Sequence, residues 1–227
     1  MRIVGVLALS YLIGSVPVGL IVGKLTRGVD IRKFGSGNIG FTNAWRTLGW
    51  GPGIVVFVLD VAKGVGPVLV SKQLGMGPLA VIGSGLLAIM GHNFSVFLKF
   101  SGGKGVSTSL GVIIGIAPAM AATALGIWCA LLAITRYVSV SSILAAASVP
   151  TLMWLSPRIY GFPVALEYRV LALVAAALIL VRHSSNLKRL CAGTEPKVGQ
   201  PATAHGGDRD ERAAGTQPAR EAGAADD

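Results

Sequence analysis

The chain has 227 residues, of which 52% are apolar and 13% charged, and lysine and arginine outnumber aspartate and glutamate to give a formal charge of +10. The apolar residues come in runs rather than amphipathic stripes, which excludes an ordinary soluble domain and predicts an all-α, polytopic integral membrane protein. The basic excess lies in the loops between runs, so it points to membrane lipids and an anionic substrate, not to nucleic acid.

Six apolar runs follow one another, at residues 3–23, 51–70, 79–97, 110–134, 138–155 and 163–181. The first resembles a secretory signal in length. Only Arg2 precedes it, Pro17 interrupts it and no small-x-small cleavage site follows, so it is expected to remain as a span. The loop after it carries Lys24, Arg27, Arg32, Lys33 and Arg46. The excess of positive charge on cytoplasmic loops then puts this loop inside and the N-terminus outside.

Asp60 and Lys63 lie one helical turn apart in the second run. Charged residues inside a membrane helix need a partner, a cavity or a pathway, and a mutual salt bridge satisfies both. Six simple crossings would leave Arg182, Lys188 and Arg189 outside, against the same charge rule. The run at 110–134 resolves the conflict, because Gly115 and Pro118 predict a break within it. Two short pieces, one short or re-entrant pair, then make seven helical segments with the C-terminus in the cytoplasm. Residues 1–197 are expected to form the membrane-embedded domain. From Val198 the chain is rich in Ala, Gly, Asp, Glu and Arg, and residues 198–227 read as a disordered polar tail. Cys129 and Cys191 have neither zinc nor redox spacing and read as free thiols.

Three polar constellations now share the cytoplasmic face. The first is Gly35-Ser36-Gly37-Asn38-Ile39-Gly40-Phe41-Thr42-Asn43, followed by Arg46. A tight backbone, several donors and a guanidinium suit phosphate oxygens; equally, Thr42 or Asn43 could simply cap the next helix. The second is Gly91–Gly111, in which Gly102, Gly103, Lys104 and Gly105 stand beside Ser101, Ser107, Thr108 and Ser109. Glycines let backbone N–H groups turn around an anion, and the lysine adds a full charge. The spacing is not that of a nucleotide-binding loop. His92 at the helix end reads as a core imidazole. The third runs from Arg182 and His183 through Asn186, Lys188 and Arg189 to Glu195. Its basic residues are either lipid-headgroup anchors or part of a site.

Taken together, GSGNIGFTNAWRTLG, GHNFSVFLKFSGGKGVSTSLG and RHSSNLKRLCAGTEPK resemble, in order and spacing, the three motifs of the bacterial acyl-phosphate-dependent glycerol-3-phosphate acyltransferases. The N-terminal YLIGSVPVG, the Asp60–Lys63-Gly64 run and RYVSVSSILAA are also similar to that family, so the likeness extends from Tyr11 to Lys197. Two departures stand out: Ile39-Gly40-Phe41 replaces a common Pro-Gly-Ala, and Ser95 replaces a usual proline, which leaves the approach to the second loop less rigid.

The resemblance implies acyl transfer from a long-chain acyl phosphate to the 1-hydroxyl of glycerol 3-phosphate at the cytoplasmic surface of a bacterial plasma or inner membrane. Lysophosphatidate and phosphate are the products, and a functional link to the acyl-phosphate-forming enzyme follows. No cofactor or metal is implied. Lys104 with Gly102, Gly103 and Gly105 would take glycerol 3-phosphate, and Ser36 and Arg46 would complete the anion clamp. Gly37, Asn38, Gly40, Thr42 and Asn43 would line the acyl-phosphate side. His183 and Asn186 would stand at the reacting centre, with Glu195 tying that segment down. The hydroxyl proton could pass to His183 or to an oxygen of the acyl phosphate. Neither His92 nor His183 has an aspartate at the fifth place after it. The thioester-using mechanism therefore lacks its residues, and neither acyl-CoA nor acyl carrier protein is expected as the direct donor. A transporter of a phosphorylated metabolite is the rival class: it would explain the basic loops and the intramembrane pair, but it leaves the one-sided gathering of anion-binding groups unexplained.

Overall fold

The computed structural model describes residues 1–200. Those residues are helical throughout, apart from loops and two single 3-10 turns at Ile31–Lys33 and Val96–Leu98. The first apolar run yields α1 (Arg2–Ser15) and α2 (Val18–Arg27), and the basic loop yields α3 (Phe41–Leu48). Then come α4 (Trp50–Gln73), α5 (Pro78–Asn93), α6 (Val106–Ile116), α7 (Pro118–Thr135) and α8 (Val138–Trp154). A single turn, α9 (Ser156–Ile159), precedes α10 (Leu166–Arg182) and α11 (Ser184–Cys191). Of the tail expected from Val198, all beyond Gln200 lies outside the described residues.

The helices α4 and α7, and the segment Pro78–Leu98 containing α5, are long and apolar enough to cross a bilayer. Two bent pairs also qualify, α1 with α2 at 40° and α10 with α11 at 54°. The run at 110–134 does break, at Ala117, because proline has no N–H to continue a helix but fits the first position of the next one. The expectation of two short pieces is corrected: α6 has 11 residues, but α7 has 18 and is one of the candidate spans. The first run, read as one span, bends where Pro17 follows Val16.

Broken helices expose carbonyls that lipid cannot satisfy. Ser95 donates its hydroxyl to the Ser15 carbonyl and Lys63 Nζ donates to that of Val16 at 3.0 Å, closing the first break. Lys72 Nζ donates to the Gly115 carbonyl at 2.6 Å, beside the second. Ser95 is fully buried, so its hydroxyl is pinned at the break.

Small residues let the helices approach closely, as membrane packing requires. A Cβ on Gly64 of α4 would fall 2.1 Å from the Thr108 carbonyl oxygen of α6, and one on Gly111 of α6 would fall 2.1 Å from that of Val61. Gly14 and Gly91 do the same between α1 and α5. Ile113, Met120, Ala121, Val149, Met153 and Ala172 pack the α6–α7–α8–α10 side, and Val68, Val81, Ile89, Val112 and Leu171 join α4, α5, α6 and α10. A third cluster, with Val22, Ile31, Ile39, Leu48 and Val56, fixes the first polar loop onto α2, α3 and α4.

Candidate active site

Two cavities meet at one end of the bundle. The larger in reach, about 430 Å³, is walled at its polar end by Ser36, Asn38, Arg46, Lys104, His183, Asn186, Arg189 and Glu195. It continues between α7, α8 and α10 past Leu132, Trp128 and Ala124 to Ala121, Val149 and Ala172. The second, about 450 Å³, is lined by Ser36, Gly37, Asn38, Gly102, Lys104, Arg182 and Arg189 with the α11 serines. Ser36, Asn38, Lys104 and Arg189 belong to both.

Motifs about eighty residues apart in sequence are joined by one hydrogen-bonded chain. Lys104 Nζ donates to Asn186 Oδ1 at 2.6 Å, and Asn186 Nδ2 donates to Glu195 Oε1 at 2.7 Å. Arg189 Nε closes on the other Glu195 oxygen at 2.9 Å. Burial works to raise the Glu195 carboxyl, but the Asn186 and Arg189 donors outweigh it and hold it below its ordinary range. Burial pushes the Lys104 ammonium down to about 8, with the nearby arginines adding to the effect and Glu195 opposing it. Lys104, Arg46, Arg182 and Arg189 thus face a single site carboxylate, Glu195, while Asp60 on the same wall is paired with Lys63. An excess of cations in a confined site demands an anion.

His183 caps α10, and its Nδ1 lies 2.8 Å from the Ile179 carbonyl. A carbonyl only accepts, so Nδ1 carries the hydrogen and the neutral ring keeps Nε2 as a free base. The first residues of α3 and α6 line the longer, first cavity, and neither helix has a side-chain cap. Their unpaired N–H groups and the positive ends of their dipoles favour negative charge there.

The glycine loop is built differently from the cradle expected of it. Gly105 alone of its three glycines has left-handed backbone, at φ +78°. Gly102 and Gly103 are needed for close approach: a Cβ on Gly102 would fall 2.2 Å from the His92 carbonyl oxygen, and one on Gly103 1.9 Å from His92 Nε2. The Gly103 N–H is spent on the His92 carbonyl at 3.0 Å, and Gly103 lines neither cavity. Gly103 stands in the loop's framework between Gly102, which lines the second cavity, and Lys104, which lines both. Arg182 ties the loop down from above, donating to the carbonyls of Gly102 and Gly103 at 2.9 and 3.0 Å.

In the first loop, Asn43 is 1% exposed with both ends of its amide engaged. Oδ1 accepts from the Ser36 N–H at 3.0 Å, and Nδ2 donates to the carbonyls of Ile31 and Asn38 at 2.8 Å each. It holds the loop that carries Ser36. Asn38 Oδ1 accepts from the Gly40 N–H at 2.9 Å, leaving its amide NH₂ free toward the cavities. Gly40 and Thr42 line the first cavity, and Gly37, at φ +68°, the second. Arg46 reaches the Pro196 carbonyl at 3.3 Å, drawing the segment after Glu195 across the rim. The role of Arg182 was not read from the sequence, nor were those of His92 and Asn93 beneath the loop. The only signal was their membership of the second and third constellations.

Fold and site together define a helical membrane protein with a cation-rich polar cavity at one end of its bundle. The chain belongs to the glycerol-3-phosphate acyltransferase family, whose profile matches residues 4–193. It is 47% identical over 194 residues to glycerol-3-phosphate acyltransferase 2 of Moorella thermoacetica, covering 86% of this chain and 96% of that one. Against the glycerol-3-phosphate acyltransferase of Desulforudis audaxviator the identity is 44% over 197 residues, with 87% and 96% covered. Among solved structures, the glycerol 3-phosphate form of PlsY, an integral membrane glycerol 3-phosphate acyltransferase, superposes with a TM-score of 0.81 at 37% identity, over 88% of this chain and 96% of that one. The lysophosphatidic acid form of the same protein gives 0.79 at 36% identity with equal coverage.

Proposed function

We propose that the chain is a membrane acyltransferase that moves a fatty acyl group from a long-chain acyl phosphate to the 1-hydroxyl of sn-glycerol 3-phosphate. Lysophosphatidic acid and inorganic phosphate are its products, in phospholipid biosynthesis. The observation that carries this reading is the meeting of a polar cavity with an apolar one at Ser36, Asn38, Lys104 and Arg189. One substrate is small and doubly anionic, the other has a lipid tail, and transfer needs their reactive ends together. A solved relative in glycerol 3-phosphate and lysophosphatidic acid forms supports the acceptor and the product of this reaction.

In this reading glycerol 3-phosphate sits where the two cavities meet, its phosphate held by Lys104, Arg46, Ser36 and the α6 N-terminus. The acyl chain lies between α7, α8 and α10. The lining of α7 from Leu132 to Ala121 covers about 16 Å at roughly 1.5 Å per residue. That is about half of a ~30 Å hydrocarbon core, the depth of one leaflet. Acyl phosphate is already activated, so the protein supplies proximity and charge stabilisation. The hydroxyl oxygen attacks the acyl carbon, the bond to the phosphate oxygen breaks, and His183 Nε2 passes the hydroxyl proton to the departing phosphate. Asn186 orients Lys104, and Glu195 anchors Asn186. The unstable donor implies a functional link to the enzyme that forms it.

We infer seven membrane segments: α1–α2, α4, α5, α6, α7, α8 and α10–α11. The basic first loop gives a cytoplasmic site and C-terminus and an outside N-terminus. A reporter fused after Gln200 should be active only in the cytoplasm. The transporter reading loses its intramembrane charges, because Asp60 pairs with Lys63 and both Lys63 and Lys72 close carbonyls of broken helices. Purified protein given palmitoyl phosphate and glycerol 3-phosphate should release lysophosphatidate and phosphate in equal amounts. Solute movement in proteoliposomes without acylation would reverse the choice.

A further inference from the structure

Asp60, Lys63 and His92 form a buried polar cluster on the cavity wall that the chemistry above leaves unused. They are 1%, 6% and 4% exposed. Lys63 Nζ stands 2.9 Å from Asp60 Oδ1 and also donates to the Val16 carbonyl at the α1–α2 break. His92 Nδ1 lies 3.7 Å from the same Asp60 oxygen and has no hydrogen-bond partner. That distance is beyond a hydrogen bond and within reach of a charge–imidazole contact. The far side of the ring faces Gly103, where a Cβ would fall 1.9 Å from Nε2. Through its carbonyl, His92 also holds the Gly103 N–H at 3.0 Å. The next residue is Lys104.

An ion pair kept only to cancel two charges needs no third member, and apolar residues of the same volume would serve the bundle as well. We propose that the Asp60–Lys63–His92 cluster is a positioning unit: it fixes His92 beneath Gly103 and so sets the height at which Lys104 meets the phosphate of glycerol 3-phosphate. Asp60 is the pivot, held by Lys63 on one side and orienting the imidazole on the other. The α1–α2 break is thereby linked to the phosphate-binding loop through Lys63, Asp60 and His92 in turn. This deepens the functional reading above and rests on it.

The test compares His92→Leu, His92→Gln and the charge-neutral double variant Asp60→Ala/Lys63→Met with the wild-type full chain. Each is measured by turnover with palmitoyl phosphate and by calorimetric binding of glycerol 3-phosphate without donor. Wild-type turnover is established first, so its absence would count against the functional reading, while the binding measurement still tests the positioning role. His92→Leu and the double variant should raise both KM and Kd for glycerol 3-phosphate about ten-fold or more, as a displaced contact group does. Saturated kcat and the KM for acyl phosphate should stay within about two-fold, the pattern of lost binding rather than lost chemistry. His92→Gln, which keeps a polar side chain beside Asp60, should recover part of the loss. A wild-type KM for glycerol 3-phosphate in the double variant would overturn the proposal, leaving the pair as mutual neutralisation. So would a change in kcat alone, or a joint rise of both KM values with a lowered unfolding temperature.

Discussion

Lys104 offers the sharpest quantitative consequence of the site's electrostatics. Its ordinary pKa lies above 10, and burial lowers it to about 8. The shift disfavours the charged form, so the ammonium is complete below that value and is lost as pH rises through it. With a pKa of about 8, roughly nine-tenths of free enzyme carries the charge at about pH 7 and roughly one-tenth at about pH 9. Because kcat/KM follows the free enzyme, the value for glycerol 3-phosphate should fall about ten-fold across that interval. The substrate does not confuse the profile, since a phosphate monoester loses its second proton near pH 6 and remains a dianion throughout. Lys104→Met should be slow and flat over the same range. Lys104→Arg, charged at every accessible pH, should lose the bend even where its fork fits the site less well. The assay is initial rate against glycerol 3-phosphate at saturating acyl phosphate. A flat wild-type profile, or a bend that survives in Lys104→Met, would refute the assignment of the phosphate to Lys104.

Other consequences are independent of that titration. Gly64→Ala drives a Cβ to 2.1 Å from the Thr108 backbone oxygen, whereas Gly66 on the same helix has nothing within 4 Å. The first should destabilise by about 2 kcal/mol or more through overpacking, and Gly66→Ala should be neutral or slightly stabilising. Thermal unfolding in detergent reads the difference. His183→Gln should lower kcat about a hundred-fold, with little change in either KM, because it removes the Nε2 base; near-normal turnover would assign the proton directly to the leaving phosphate. Ala172→Phe fills the deep end of the apolar cavity, so palmitoyl phosphate should lose ground to octanoyl phosphate by about four-fold for each methylene excluded, read as the ratio of their kcat/KM values.

Much of the site was legible because its chemistry is carried by residue types that are expensive elsewhere. A lysine among glycines and a His-x-x-Asn at a membrane exit have few uses, and the charge rule put them on one face. The Asp60–Lys63 bridge followed from helical spacing alone, and the break at Pro118 from the chemistry of proline. What stayed hidden depends on long-range backbone geometry. Pro17 was visible, but its bend is set by where Lys63 and Ser95 supply donors to the freed carbonyls. That Gly102 and Gly103 also make room for His92 and Asn93 is invisible in the sequence, because it depends on a close approach across the loop. For Arg182 the choice between headgroup anchor and site residue stays open in the sequence, because nothing local shows that its guanidinium turns back to a loop some eighty residues earlier. The length of α7 was misjudged because proline at a helix start costs nothing, while the same residue mid-run was taken to shorten both halves.

The central claim is that the two cavities bring an acyl phosphate and glycerol 3-phosphate together at Lys104. Radiolabelled glycerol 3-phosphate offered to the purified protein with palmitoyl phosphate, and separately with palmitoyl-CoA, tests it most directly. Labelled lysophosphatidate should appear with the acyl phosphate alone and fall sharply in Lys104→Met. Product formed from the thioester and none from the acyl phosphate would contradict the account.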